Sequence, residues 1–128
     1  MSSREHEIQN EIRNELAGKA LVFRANVGQA WTGEPHRLPN GDLLLKKPRP
    51  FNTGLPPGFS DLFGFVRVTI TPDMVGQDVA VFVGLEVKDK AKATDKQNAF
   101  IKAVNDNGGR AGVARSAEDA VRIVDGGM

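Results

Sequence analysis

Apolar residues recur along the chain with two different periods, which separate predicted helices from predicted strands. Ile8, Ile12 and Leu16 lie four residues apart and would form one apolar stripe on an N-terminal helix. Ser2 or Ser3 can cap the start of this helix, and a glycine at position 18 is a typical stop signal.

Two more helices are predicted in the C-terminal third of the chain. Thr94 can cap a helix that runs to about residue 105, where Asn107-Gly108-Gly109 stops it. The sequence Ser116-x-x-Asp119 is similar to a capping box and predicts a last helix that ends near residue 124.

Short segments rich in apolar and β-branched residues predict the strands. They lie at residues 20–27, 62–70, 79–88 and 111–114. The second and third of these segments are separated by turn-forming residues, so we expect them to pair as a hairpin. In the third, alternation places Val81, Val83, Leu85 and Val87 on one face, which we expect to pack.

Residues 28–58 follow neither period. Six of the seven prolines lie from Pro35 to Pro57, and Asn40-Gly41 is a turn signal. We therefore expect a Pro/Gly-rich loop in a single domain over residues 1–128. The predicted order is α-β-β-β-α-β-α, an α/β (mixed α+β) fold in which helices flank a central mixed sheet.

Composition narrows the possible functions. Seventeen Lys and Arg against sixteen Asp and Glu leave a net charge of +1, so any contact with nucleic acid must come from local basic patches. The absence of Cys excludes disulfides, thiolate metal sites and thiol catalysis. No segment is a typical signal peptide or membrane span, and we expect a cytoplasmic protein without membrane contact.

Three charged residues near strand ends suggest metal chemistry. Glu86 and Lys88 lie two apart on one strand and therefore share a face. If the strands pair as a hairpin, Asp61 meets Glu86 across it, and two close carboxylates repel unless a cation lies between them. Two carboxylates and a main-chain carbonyl suit Mg²⁺ or Mn²⁺. A salt-bridged strand end is the competing interpretation.

Two helical residues extend this set. At about 100° per residue, Glu5 lies on or beside the apolar stripe of the first helix, where a carboxylate is costly unless paired or metal-bound. Gln97 shares the spacing of Phe100, Ile101 and Val104 and should point toward the sheet. A solvated first turn and a boundary glutamine remain the alternatives.

The ordered set of motifs resembles the virus-type replication-repair nuclease (VRR-NUC) domain of the PD-(D/E)xK nuclease superfamily. The resemblance covers nearly the whole chain. The matching segments are Glu5-x-x-Ile8-Gln9, Phe23-Arg24-Ala25-Asn26-Val27-Gly28, Gly54-Leu55-Pro56-Pro57-Gly58-Phe59-Ser60-Asp61-Leu62, Glu86-Val87-Lys88, Gln97-x-x-Phe100 and Gly108-Gly109-x-Ala111-Gly112-Val113-Ala114.

This resemblance implies a PD-(D/E)xK core and a divalent-metal-dependent DNA endonuclease. Asp61, Glu86 and the carbonyl of Val87 would hold Mg²⁺ or Mn²⁺, and Lys88 would position or activate the attacking water. Glu5 would complete the metal or water site, and Gln97 would support it. Free-standing phage and bacterial members resemble Holliday-junction resolvases that act as homodimers, which implies branched DNA as the substrate.

Basic residues near these motifs are candidates for DNA contact, with a solvated charged face as the alternative. They are Arg24, Asn26 as a polar neighbour, Arg49, Lys90, Lys92 and Lys96. Trp31 could stack on an unpaired base, cover the core edge or form a dimer contact.

Three other functions stay open. The chain could be a non-catalytic DNA-binding module with the nuclease fold, or a nuclease for flaps, nicks or plain duplex. It could also be an interaction domain in which these acids form salt bridges.

Overall fold

The computed structural model describes residues 3–26 and 29–126, and it is a mixed α/β structure, as the sequence predicts. Its helices and strands are, in chain order, α1 (Ser3–Leu16), β1 (Ala20–Arg24), β2 (Gln29–Arg37), β3 (Leu43–Asn52), β4 (Leu62–Val66), β5 (Val83–Val87), α2 (Asp95–Asp106), β6 (Arg110–Ala114) and α3 (Ala117–Val124). A short 3₁₀ turn at Pro72–Met74 lies between β4 and β5.

The strand arrangement differs from the predicted central mixed sheet. In the part of the chain that the structure describes, the strands form three two-stranded sheets, β1 with β4, β2 with β3 and β5 with β6. Five strands precede α2, whereas the predicted order α-β-β-β-α-β-α has three. The predicted hairpin between the segments at 62–70 and 79–88 was wrong, because β5 instead pairs in parallel with β6.

The additional strands come from the segment that we expected to be a Pro/Gly-rich loop. From Gln29 to Asn52 it forms an antiparallel hairpin, β2 with β3. Prolines weaken a central strand but are tolerated at an edge, and both strands of a two-stranded sheet are edges. The turn predicted at Asn40-Gly41 is confirmed: Gly41 has φ +92° and the Asn40 side chain accepts a hydrogen bond from the Asp42 amide at 3.0 Å.

The chain forms two compact units. The first comprises Met1–Arg13 and Val22–Phe63, and the second comprises Asn14–Leu21 and Gly64–Met128. The single domain over residues 1–128 stays a prediction.

The second unit contains a β-α-β-α arrangement around the parallel pair β5 and β6. On one face, a Cβ at Gly84 would lie 3.5 Å from Ala111 and 3.7 Å from the Phe100 ring of α2. On the other face, a Cβ at Gly112 would lie 2.9 Å from Ile123 of α3. Small residues on the strands therefore let a helix approach each face closely.

The two faces of β5 differ from the expectation that one of them packs, because α2 approaches the face with Gly84 and α3 approaches the face with Leu85, whose partner is Gly112. Val83, Leu85 and Val87, which we expected to pack, are exposed, and Val81 before the strand is exposed as well. The face with Gly84 and Glu86 lies against α2. Because α2 follows β5 and leads directly into its neighbour β6, the helix has to cover this face.

The predicted helix ends are largely confirmed. α1 ends before Gly18, whose φ of +85° suits a glycine stop. The Thr94 cap is present, and Gly108 follows α2 with φ +90°. The caps and motif positions Ser2, Val27 and Gly28 lie outside the described residues.

Candidate active site

Glu86 and Lys88 lie at the end of β5 and face the same way, as the alternation along the strand predicts. The Lys88 Nζ is 3.6 Å from the Glu86 Oε1, and their side chains are 21% and 32% exposed, respectively. The Lys88 amide donates to the carbonyl of Ala114 at 3.2 Å, which extends the parallel ladder by one residue beyond β5. The pair is thus half-buried and held on a paired backbone.

Gln97 connects this pair to α2. Its Nε2 donates to the Glu86 Oε1 at 2.8 Å. Its Oε1 accepts from the Thr94 amide at 2.9 Å, and its own amide donates to the Thr94 Oγ1 at 3.1 Å. Gln97 therefore points toward the sheet as predicted, and the capping box of α2 fixes its side chain.

The contacts of Glu86 are asymmetric. Both the Gln97 amide and the Lys88 ammonium approach Oε1, whereas Oε2 has no hydrogen bond or ion pair to any described residue. A carboxylate held by one oxygen presents the other to a ligand. The competing interpretation of the sequence was a salt-bridged strand end. It accounts for the Lys88 ammonium but not for the Gln97 amide, which donates to the same oxygen.

A cavity of about 290 Å³ lies beside Glu86. Its lining is mainly apolar and includes Gln97. The lining residues are Gly84, Leu85, Glu86, Lys96, Gln97, Phe100 and Ile101.

One contributor near this site was missed by the sequence reasoning. The Arg115 guanidinium donates to the carbonyl of Asp89 at 3.0 Å, across 26 residues, and so holds the turn that follows Lys88. Nothing in the local sequence around Arg115 indicates this partner, because only the parallel pairing of β5 with β6 brings the two segments together.

Asp61 and Glu5 belong to the first unit. Asp61 directly precedes β4, where its carbonyl accepts from the Ala25 amide at 3.0 Å, and its side chain is exposed. This backbone hydrogen bond connects Asp61 to the residue that follows β1.

The predicted orientation of α1 needs correction. Glu5 is exposed, and so are Ile8 and Ile12 of the expected apolar stripe. Gln9, expected at the edge of the stripe, is instead the buried residue of the helix at 7% exposure. Its Oε1 has no hydrogen-bond partner among the described residues.

The metal-binding capacity can be judged from the donors of each unit. Within neither unit do the described residues place three or more His, Asp or Glu side chains close enough together to hold an ion. Glu86 supplies one open carboxylate oxygen beside the Val87 main chain in the second unit. Mg²⁺ is commonly held by one or two carboxylates and keeps several waters. Glu86 and the Val87 main chain could therefore supply some of the ligands of a magnesium site.

The residues proposed for DNA contact are all exposed. Arg24 Nη2 lies 3.4 Å from the His6 Nδ1, and Asn26 follows β1. Lys90, Lys92 and Lys96 follow Lys88 on the way into α2, and Arg49 lies on β3. Exposed cations on both units remain available to phosphate groups.

No described helix is both long and apolar enough to cross a membrane. Comparison with protein-family models, curated proteins and solved structures finds no match to this chain, so any function has to be argued from its own residues.

Proposed function

We propose that the protein is a divalent-metal-dependent DNA endonuclease that hydrolyses phosphodiester bonds, with structure-specific cleavage of branched DNA by a homodimer. The observation that carries the proposal is the arrangement of Glu86, Lys88 and Gln97. A lysine and an amide converge on one oxygen of a half-buried carboxylate, and the second oxygen of that carboxylate has no partner among the described residues.

This arrangement suits hydrolysis of a phosphodiester. Gln97, fixed by its own bonds to Thr94, holds Glu86 in one orientation. Lys88 lies beside Glu86, where its ammonium form can hold a water or stabilise charge on the phosphate and only its neutral amine form can deprotonate a water. Preorganised groups of this kind act without reorganisation at the moment of reaction.

The proposed metal ligands are Glu86, the carbonyl of Val87 and Asp61, with Glu5 completing the metal or water site. The hairpin that would have placed Asp61 across from Glu86 does not form, because β5 pairs with β6, and Glu5 is exposed. The roles of Asp61 and Glu5 therefore rest on the sequence resemblance alone. A bound Mg²⁺ or Mn²⁺ supplies a Lewis acid for the phosphate and lowers the pKa of a water. The residues of this chain supply its ligands and the charged groups around it.

The proposed dimer follows from the substrate. A four-way junction has two-fold symmetry, and a chain with one site cuts both symmetric strands only when two copies are related by a two-fold axis.

A cleavage assay tests the proposal. End-labelled four-way junction, flap, single-stranded and linear duplex DNA are incubated with Mg²⁺ or Mn²⁺. The wild type is compared with Glu86→Gln, Asp61→Ala and the control Glu118→Gln, an exposed acid of α3. We expect symmetric nicking of the junction that chelator, Glu86→Gln and Asp61→Ala abolish and that Glu118→Gln leaves unchanged.

The other outcomes each contradict part of the proposal. DNA binding without cleavage of any substrate would identify a non-catalytic module. Cleavage that survives both site variants would mean that these carboxylates do not hold the metal. Cutting of flaps or duplex in preference to junctions would overturn the proposed substrate but not the nuclease.

A further inference from the structure

The hairpin of β2, β3 and their turn, residues 29–52, is called the ribbon here. Nearly all of its side chains are exposed. Trp31 is 62% exposed, and Leu43, Leu44 and Phe51 are exposed as well. A two-stranded hairpin is at best marginally stable by itself in water, so an exposed ribbon with these side chains is suited to a binding role.

The ribbon is more basic than the chain as a whole. It carries Arg37, Lys46, Lys47 and Arg49 against Glu34 and Asp42, a net charge of +2, whereas the whole chain has +1. The positive charge of the chain is therefore concentrated in the ribbon. A positively charged ribbon complements a polyanion.

Not all of these cations are neutralised within the ribbon. Lys47 Nζ lies 3.9 Å from the Glu34 Oε1, and Asp42 accepts from the Asn40 amide group in the turn. Lys46 and Arg49 form no ion pair with any described residue. These two cations are available to phosphate groups.

The strand register places one of these cations, Arg49, in the pair next to the one that contains Trp31. Trp31 pairs with Pro50, and the next pair along the ribbon is Thr32 with Arg49. Arg49 is therefore one residue from the partner of Trp31, on the opposite face of the ribbon.

A bulge places a second cation on the face of Arg49. The register shifts between Thr32 and Glu34, and Lys46 pairs with Glu34. A Cβ at Gly33 would lie 2.8 Å from the Lys46 carbonyl, so the close approach at the bulge requires glycine. The extra residue on β3 puts Lys46 and Arg49 on one face although they are three positions apart.

We propose that the ribbon binds single-stranded nucleic acid, with Trp31 stacking on a base and with Lys46 and Arg49 contacting phosphates. Stacking on an exposed aromatic ring beside basic groups is the usual way in which proteins bind unpaired strands. The ribbon is one backbone layer thick. A nucleic-acid strand that passes over its edge can therefore stack a base on Trp31 on one face and place phosphates near Lys46 and Arg49 on the other face. The inference goes beyond the proposed nuclease, because this binding requires none of Glu86, Lys88 and Gln97.

The chain contains its own probe for this binding. Trp31 is the one tryptophan, and there is no tyrosine, so the intrinsic emission reports on the ribbon. We titrate the full chain with a short oligothymidylate in the presence of chelator, which prevents metal-dependent cleavage, and repeat the titration at several salt concentrations. We expect quenching of Trp31 and an affinity that falls with salt.

Variants separate stacking from charge. Binding of a dye-labelled oligonucleotide should weaken about tenfold to a hundredfold in Trp31→Ala and much less in Trp31→Phe, because phenylalanine keeps an aromatic face. Lys46→Gln with Arg49→Gln should reduce the slope of log affinity against log salt by about 1.4, at about 0.7 per phosphate contact. Arg13→Gln with Lys19→Gln removes the same charge from exposed positions outside the ribbon and should leave the slope unchanged.

Three outcomes would overturn the inference. The first is no quenching, the second is equal quenching by matched duplex, and the third is a change of Trp31 emission with protein concentration alone, which would assign the ribbon to a contact with a second copy. The nuclease proposal is judged separately, since Glu86→Gln should abolish cleavage and leave the quenching intact.

Discussion

Gln97 has two roles in the structure. As the N3 residue of α2 it completes the capping box, and through its Nε2 it donates to Glu86. The helix cap and the carboxylate are thereby coupled, so that a substitution at Gln97 affects stability and the candidate site by different routes.

Gln97→Glu separates these routes. A glutamate at N3 still accepts from the Thr94 amide, so helix content and melting temperature should change little. It replaces the Nε2 donor with an oxygen that faces Glu86, so affinity for Mn²⁺ and the cleavage rate should each fall about tenfold to a hundredfold. Calorimetric titration with Mn²⁺ and circular dichroism measure the two effects.

The conservative control for this variant is Thr94→Ser, which keeps the cap and should leave both properties near wild type. If Gln97→Glu behaved like Thr94→Ser in metal binding and cleavage, Gln97 would not orient a functional carboxylate.

Asp119 carries a pH-dependent contribution to stability. The pKa of its carboxyl lies below the ordinary value of 3.8, chiefly because the Arg115 amide donates to it at 2.9 Å, with smaller contributions from Arg122 and Ser116. A group with a lowered folded-state pKa contributes stability that is present above pH 3.8 and lost as the pH falls through its folded value.

Asp119→Asn keeps an acceptor for the Arg115 amide but removes the charge. We therefore expect a lower unfolding midpoint in urea than the wild type at pH 7, and a difference that shrinks as the pH falls below 3.8. A difference that stays constant or grows on acidification would contradict the assigned cause.

At the scale of elements, two glycines near α2 differ in the space around them. A Cβ at Gly109 would lie 2.6 Å from the Val104 Cγ1 and 3.0 Å from the Phe82 carbonyl, so the surrounding side chains or backbone would have to shift. At Gly84 the nearest atom would be 3.5 Å away, which is ordinary contact.

Gly109→Ala should therefore destabilise the second unit by about 1–3 kcal/mol, the usual cost of overpacking. Gly84→Ala serves as the matched control and should be nearly neutral. Equilibrium denaturation followed by circular dichroism checks both, and equal losses would mean that close packing at Gly109 does not limit the approach of α2.

The elements themselves were largely predictable, because their signals are local. The three helices follow from four-residue apolar spacing, capping residues and glycine stops, and each is present. The ribbon was not predicted, because proline is tolerated only in edge strands and the sequence does not show which strands are edges. Among the described strands, β2 and β3 pair with each other alone, so both are edge strands, and edge strands tolerate proline.

At the scale of the molecule, the oligomeric state connects the chain to its proposed substrate. One set of site residues per chain and a two-fold symmetric junction call for a two-fold dimer. Sedimentation equilibrium in chelator should give a dimer mass, and one dimer should bind each junction. A monomer that cuts the two symmetric strands in independent events would contradict the proposed symmetric arrangement.

The sequence by itself determined the mixed α/β class, the helix ends, the turn at Asn40-Gly41, and the shared face of Glu86 and Lys88. These depend on interactions within a few residues along the chain. The tertiary structure alone decided that β5 pairs with β6, that Glu86 faces α2 while Val83, Leu85 and Val87 are exposed, and that Arg115 holds the turn after Lys88. Alternation along a strand says which side chains share a face, but the helix that covers a face is chosen by the packing of segments far apart in sequence.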